Sequence, residues 1–329
     1  MNKYFSMLVF GGLSVASFSS LAFEGAEIYG KANVSYENQD DGNNGTWKLQ
    51  SNASRLGIKG AFYTDIEGLE AIYKAEFEIA IDDGDKDGQT LSQRNIFGGF
   101  KHDDLGTLIA GKFDTPLKSS QGKIDQFNDL QGDIKNIIAG ENRTSNIIQY
   151  SSPRFLDAIG FDIAVVPGEE QSTGAENDGP ADTISSAVTF DNGRFFGSVA
   201  YDSDVEDSLE ADSSGGERLN ILRAVGIARL GDFQIGALYQ RADESHGPGQ
   251  EASYLLSGAV KLDRWKFRAQ YGLTEGDTTD EELTLAALGV DYKLASKSKA
   301  YAYVSRVEAE LASSEDTTFG VGFEHKFSM

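Results

Sequence analysis

The sequence of 329 residues predicts an all-β protein, a 16-stranded antiparallel transmembrane β-barrel with a long third loop folded inward. Three observations carry this. Apolar and polar residues alternate along many segments. The connections between those segments alternate between short and long. The mean hydropathy of −0.35 argues against a bundle of apolar spanning helices, yet suits strands that are apolar on one face only.

The alternation is clearest in the first strand, Glu27 to Glu37. There Ile28, Gly30, Ala32, Val34 and Tyr36 share one face, and Tyr29, Lys31, Asn33 and Ser35 the other. Residues 68–79 repeat it, with Ala71, Tyr73, Ala75 and Phe77 against Glu70, Lys74, Glu76 and Glu78. Residues 233–240 and 264–274 do the same. Segments 219–230 and 299–307 alternate poorly, since Arg223 and Arg229 fall in register with Val225 and Ile227. Either they line a subunit interface or the register shifts there.

Short connections fall at 63–67, 102–104, 152–157, 191–193, 231–232, 262–263 and 296–298. Longer polar stretches lie near 38–46, 80–92, 113–143, 167–182, 203–217, 242–250, 275–281 and 308–315. Sixteen strands separate them. An even strand number with short turns on one rim and long loops on the other is the transmembrane barrel pattern. Phe62, Tyr63, Phe100, Phe155, Phe195, Phe196, Phe233 and Trp265 cluster beside the short turns, as an interfacial aromatic girdle would.

Composition removes other classes. There is no cysteine, hence no disulfide scaffold, thiolate metal site or thiol nucleophile. The net charge of −23 argues against nucleic acid as a partner, because phosphates need a basic face. Residues 1–22 combine Lys3, a short apolar run and Ser20-Leu21-Ala22. That is the pattern of a secretory signal peptide cut after Ala22, leaving 23–329 as the barrel domain.

The 113–143 connection far exceeds ordinary loop length, and such loops are usually functional. Phe127, Leu130, Ile134, Ile137 and Ile138 equip it to pack against the inner wall, where it would narrow the lumen.

With these pieces in place, the chain resembles the general-diffusion trimeric porins of Gram-negative outer membranes. The resemblance rests on Ile28-Tyr29-Gly30-Lys31, Asn52 to Gly60, Arg94 to Gly99, Gly106 to Lys112, Asp114-Thr115-Pro116-Leu117, Arg143 to Asn146 and Gly320 to Phe327, in order along nearly the whole chain. It implies an outer-membrane pore that passes ions and small hydrophilic solutes passively. It also implies a homotrimer, and a constriction in which loop acids face a basic wall. Carried over by motif, the basic residues are Lys31, Arg55, Arg94, Lys112 and Arg143. The acidic candidates are Asp125, Asp129 and Asp133, whose spacing of four aligns them on one face if the segment is helical. Lys118 and Lys123 on the same loop offset part of that field. Phe323 and Phe327 correspond to the assembly signature at the family's C-terminus, although Ser328 and Met329 follow where an aromatic usually ends the chain.

Such a charged constriction sets a transverse field that favours hydrated polar solutes. The acidic balance predicts a mild preference for cations. The acidic loops are also suited to bridging lipopolysaccharide phosphates through divalent cations. A substrate-specific channel, or a receptor barrel without an open pore, is the alternative reading. An enzyme is not expected, because no nucleophile elbow or phosphate loop occurs. No cofactor or resident metal is expected either. Asp83-x-Asp85-x-Asp87-Gly88 opens like an EF-hand, but Arg94 stands where its bidentate Glu belongs. His102, His246 and His325 share no metal-ligand spacing.

Overall fold

The computed structural model describes residues 25–82, 90–169, 178–212 and 218–329. The predicted leader and the Asp83–Gly88 motif lie outside them. The strands are β1 (Ala26–Asp40), β2 (Gly45–Ser51), β3 (Arg55–Tyr63), β4 (Leu69–Ile79), β5 (Leu91–His102), β6 (Gly106–Asp114), β7 (Arg143–Ser151), β8 (Ile159–Val166), β9 (Thr183–Asp191), β10 (Phe195–Glu206), β11 (Arg218–Leu230), β12 (Phe233–Glu244), β13 (Gln250–Leu262), β14 (Trp265–Gly276), β15 (Glu282–Ala295), β16 (Ser298–Ala309) and β17 (Ser314–Ser328). Neighbours pair antiparallel, and β17 returns to pair with β1 from Tyr29↔Ser328 to Asp40↔Thr317. The sheet is therefore a closed barrel.

β2 and β3 both pair with β1, Val34 opposite Ser51 and Lys31 opposite Arg55. They are one wall strand interrupted by a bulge, so the barrel has sixteen wall positions. One extra residue on the bulged side reverses which parity faces inward. Before the bulge Trp47 and Leu49 are exposed on the outer face; after it Arg55 turns into the lumen. Ala53, with φ of 49°, forms the kink, and its carbonyl accepts from Arg55 Nε at 3.0 Å.

Rim asymmetry is weaker than the sequence implies. Strands run on into residues that read as loop. The connections 41–44, 245–249, 277–281 and 310–313 are therefore compact hairpins, and the long ones are 80–90, 115–142, 167–182 and 207–217. Of the girdle aromatics, Phe62, Tyr63, Phe100, Phe155, Phe195, Phe233 and Trp265 are exposed. Phe196 instead turns inward and packs on the core.

The barrel closes tightly. Ile28 and Met329 exchange backbone hydrogen bonds of 3.0 and 2.9 Å, extending the β1–β17 ladder through the last residue. Phe323 and Phe327 lie on the exposed face with Phe319 and Val321. Phe327 crosses the seam over Gly30, where an added Cβ would stand 2.3 Å from its ring.

The apolar core lies inside the barrel, between the third connection and the wall. This inner loop carries a short helix α1 (Pro116–Ser119) and a 3-10 turn at Ile134–Asn136. Ile124, Ile134, Ile137 and Ile138 pack on Val225, Ile227, Leu238, Leu255 and Leu285. Leu117 and Ala139 pack on Leu219, Ile221 and Ala242, and Phe127 and Leu130 on Tyr301 and Tyr303. This explains the two segments that alternate poorly. Their inward residues are largely apolar because the loop covers them; the register shifts beside them lie on the partner strands, between Asp202 and Val205 and between Lys293 and Ala295.

Candidate functional site

Polar side chains on the inner wall fasten the loop along its length. Ser198 Oγ donates to the Ser120 carbonyl at 2.7 Å, Gln240 Nε2 to Ala139 at 2.9 Å and Gln270 Nε2 to Gly132 at 2.6 Å. Arg268 stacks over Phe127, 4.3 Å from the ring centroid, and pairs with Asp291 at 3.0 Å. Arg223 is fully buried. Its guanidinium meets Glu141 at 2.7 Å, the Ala139 carbonyl at 2.9 Å and Gln240 Oε1 at 2.7 Å. Burial pushes the Glu141 carboxyl above its usual range, against the pull of Arg223 and Lys118. A charge buried this deeply persists only because its partner and hydrogen bonds surround it.

The free edge of the loop reaches the wall built by β1 and β3. Asp129 Oδ2 lies 2.7 Å from Lys31 Nζ and 2.6 Å from Arg55 Nη2. Burial works against the Asp129 charge, but Lys31 and Arg55 outweigh it and hold the carboxyl below its ordinary range. Farther along the wall, Arg94 pairs with Glu76 at 3.1 Å and Glu78 at 2.6 Å. A bulge opposite Glu76 turns both Arg94 and Asn95 inward. Arg143 pairs with Asp114 at 2.9 Å and donates to Asn95 Oδ1 at 2.7 Å. Between wall and loop lies a cavity of about 570 Å³ lined by Arg55, Glu78, Arg94, Asp114 and Arg143 on the wall, and by Lys118, Lys123, Asp129, Asp133, Lys135 and Glu141 on the loop.

Of the basic candidates, the structure brings Lys31, Arg55, Arg94 and Arg143 to this constriction. Lys112 is a correction. It pairs with Ile96 and shares the strand face of exposed Leu108 and Ala110, because inward alternation on β6 falls to the odd positions until the irregularity against β7 between Gly111 and Phe113, after which Asp114 turns inward. Of the acids, Asp129 alone meets the wall cations. The segment is not helical: Asp129 has φ of 68°, and the aspartates point apart. Asp133 caps the 3-10 turn, accepting from Lys135 N at 3.0 Å and Asp129 N at 2.9 Å. Asp125 accepts from Phe127 N at 2.8 Å and Ile134 N at 3.4 Å. Burial and the Asp133 charge raise its pKa well above the usual value. Sequence reasoning missed Glu76, Glu78, Asp114 and Glu141. Glu76 and Glu78 carried a signal, as adjacent lumen-parity acids on a strand beside Arg55.

The wall is thus not a bare basic ladder, since each arginine has a carboxylate partner. A polar passage narrowed by a loop from within describes a pore. The chain matches the family described as Gram-negative porin over residues 8–312. It is a Gram-negative porin.

This porin is an outer-membrane channel protein. No curated protein sequence matches it significantly. Solved structures share its fold. The anion-selective porin from Comamonas acidovorans aligns with a TM-score of 0.72 at 20% identity, over 92% of this porin and 99% of that chain. A loop L8 deletion mutant of OmpT from Vibrio cholerae gives 0.70 at 21%, over 92% and 99%. OmpF of Salmonella typhi, in complex with daunomycin, gives 0.68 at 12%, over 92% and 97%.

Proposed function

We propose that the porin conducts ions and small hydrophilic solutes passively, with the eyelet between the inner loop and the β3–β7 wall as its selective section. The observation that carries this reading is the Asp129 contact with Lys31 and Arg55, where the loop edge meets the wall beside a cavity lined almost wholly by charged and amide side chains. Such a lining keeps permeating solutes hydrated and resists apolar ones, which must displace oriented water.

Ion preference is weak and cationic in this reading. The eyelet is close to neutral, with six cations and five carboxylates on its lining. The chain as a whole carries −23, so acidic loops enrich cations at the outer mouth. Long-range enrichment of this kind is screened by salt, over about 10 Å at 0.1 M and about 3 Å at 1 M.

The porin assembles as a homotrimer in this reading, which the trimer form of OmpT from Vibrio cholerae supports by analogy of fold. Its acidic loops face lipopolysaccharide, with divalent cations bridging to phosphate. Single-channel recording of the refolded protein in a planar bilayer tests the proposal. Ohmic steps in groups of three are expected, with a reversal potential of cationic sign that shrinks as salt rises. Absence of conductance from folded, inserted protein would overturn the reading.

A further inference from the structure

A second chamber lies beneath the inner loop, toward the short-turn rim. Its volume is about 320 Å³, and Lys123, Arg229, Lys261 and Lys266 line it, with Asp125 and Asp232 as its acids. Lys123 also lines the constriction, so the two spaces share one basic residue.

The charges of this chamber are poorly compensated. Among the described residues, Lys123, Lys261 and Lys266 have no carboxylate within ion-pair distance. Lys266 Nζ makes its hydrogen bond to a neutral partner, Gln126 Oε1, at 3.0 Å, while Asp291 opposite it is already paired with Arg268 and Lys299. Arg229 is held by Asp191 at 2.9 Å. Asp125 spends both oxygens on loop amides. The loop backbone above is fixed to the wall, since Gln234 Nε2 donates to the Lys123 carbonyl at 2.9 Å. A concave, low-dielectric site lined by cations of one sign concentrates the opposite ion. That it occurs in a chain with 52 Asp+Glu against 29 Lys+Arg makes it a local reversal of the protein's own field.

We propose that this chamber is a binding station for small oxyanions, phosphate or carboxylate in class, that pass between the eyelet and the short-turn mouth. Lys123 hands the anion between the two spaces, and Lys261 and Lys266 hold it below. The station rests on the channel reading given above.

The test is chloride-carried current through the intact porin in a planar bilayer at fixed ionic strength, with inorganic phosphate added from the short-turn side. Phosphate is expected to reduce the current of the wild type. The variant K123Q/K261Q/K266Q is expected to need about tenfold more phosphate, equivalent to about 1.4 kcal/mol of binding. The Lys261 side chain is exposed and holds no hydrogen bond or ion pair among the described residues, so K261Q alone folds as the wild type does and gives a smaller loss in the same direction. Equal phosphate sensitivity in wild type and K261Q, or a wild type that conducts and ignores phosphate, overturns the station alone. A wild type that inserts and does not conduct overturns the channel reading and the station together.

Discussion

Asp129 Oδ2 stands 2.6 Å from Arg55 Nη2, so the free edge of the inner loop is joined to the wall by an ion pair and the lumen is divided there. Lys31 shares the same oxygen. Replacing Asp129 with Ala leaves two neighbouring cations without their common partner. Breaking a buried pair costs about 3–5 kcal/mol, and partial exposure reduces this toward 1–2 kcal/mol. The expected result is a less heat-stable barrel and a reversal potential shifted toward anions. R55A is expected to shift it the other way. Equal shifts of one sign in both variants would contradict the pairing.

The pH dependence of that clasp has a definite sign. The Asp129 carboxyl is held below the ordinary aspartate range by Lys31 and Arg55, so the unfolded chain takes up its proton first as pH falls. The stabilisation is fully present above about pH 4 and is lost as pH falls through the lower, folded value. The unfolding-temperature difference between wild type and D129N, read by heat-modified gel mobility, should be flat from pH 7 to near 4 and shrink below. A difference that changes most between pH 7 and 5 would assign the clasp to another group.

Arg223 fixes the opposite side of the loop. R223A leaves the buried Glu141 carboxylate without its guanidinium partner and takes one of two donors from the Ala139 carbonyl, an effect of about 3–5 kcal/mol. Noisier open-channel current and lower thermal stability are expected. R223M/E141Q, which removes both charges, should recover much of the loss. No recovery would mean that the guanidinium acts through its carbonyl contacts alone.

Closure of the barrel depends on Gly30 lying under Phe327. G30L forces a side chain into that ring, and overpacking of this kind costs about 1–3 kcal/mol. F327A alone also destabilises, but the double variant should lose less than the two singles combined. Additive losses in a double-mutant cycle would place the two residues out of contact.

Lys112 gives a contrast. It lies on the face of Leu108 and Ala110, so K112Q should leave single-channel conductance and reversal potential unchanged, whereas R94Q and R143Q should alter both. A K112Q effect equal to that of R143Q would put its ammonium group in the lumen.

Much of this was legible in the sequence for physical reasons. Period-two alternation and unequal connections fix strand number, because a strand in lipid must be apolar on one face. Lys31, Arg55 and Asp129 were readable because each sits on a motif or on the longest loop. The remainder depended on tertiary context. Val225 and Ile227 break alternation because they face a loop a hundred residues earlier in the chain, and Arg223 falls among them because it holds that loop. Asp125 and Asp133 share the helical spacing of Asp129, yet the left-handed backbone at Asp129 sends them to backbone amides instead. Lys112 matches a motif whose inward parity its own strand does not keep. Glu76 and Glu78 look like ordinary polar positions until the neighbouring bulge turns Arg94 onto them.

The packing of the inner loop sets a limit on engineering a wider pore. Excising residues between α1 and β7 would enlarge the opening, but it would leave Val225, Ile227, Leu238, Leu255 and Leu285 as a bare greasy stripe along the bore. Apolar side chains left facing water forfeit the stabilisation of their burial against the loop. A shortened loop would therefore need serine, threonine or glutamine in place of that stripe for the widened barrel to stay folded, so the loop also serves as an inner lining of the wall.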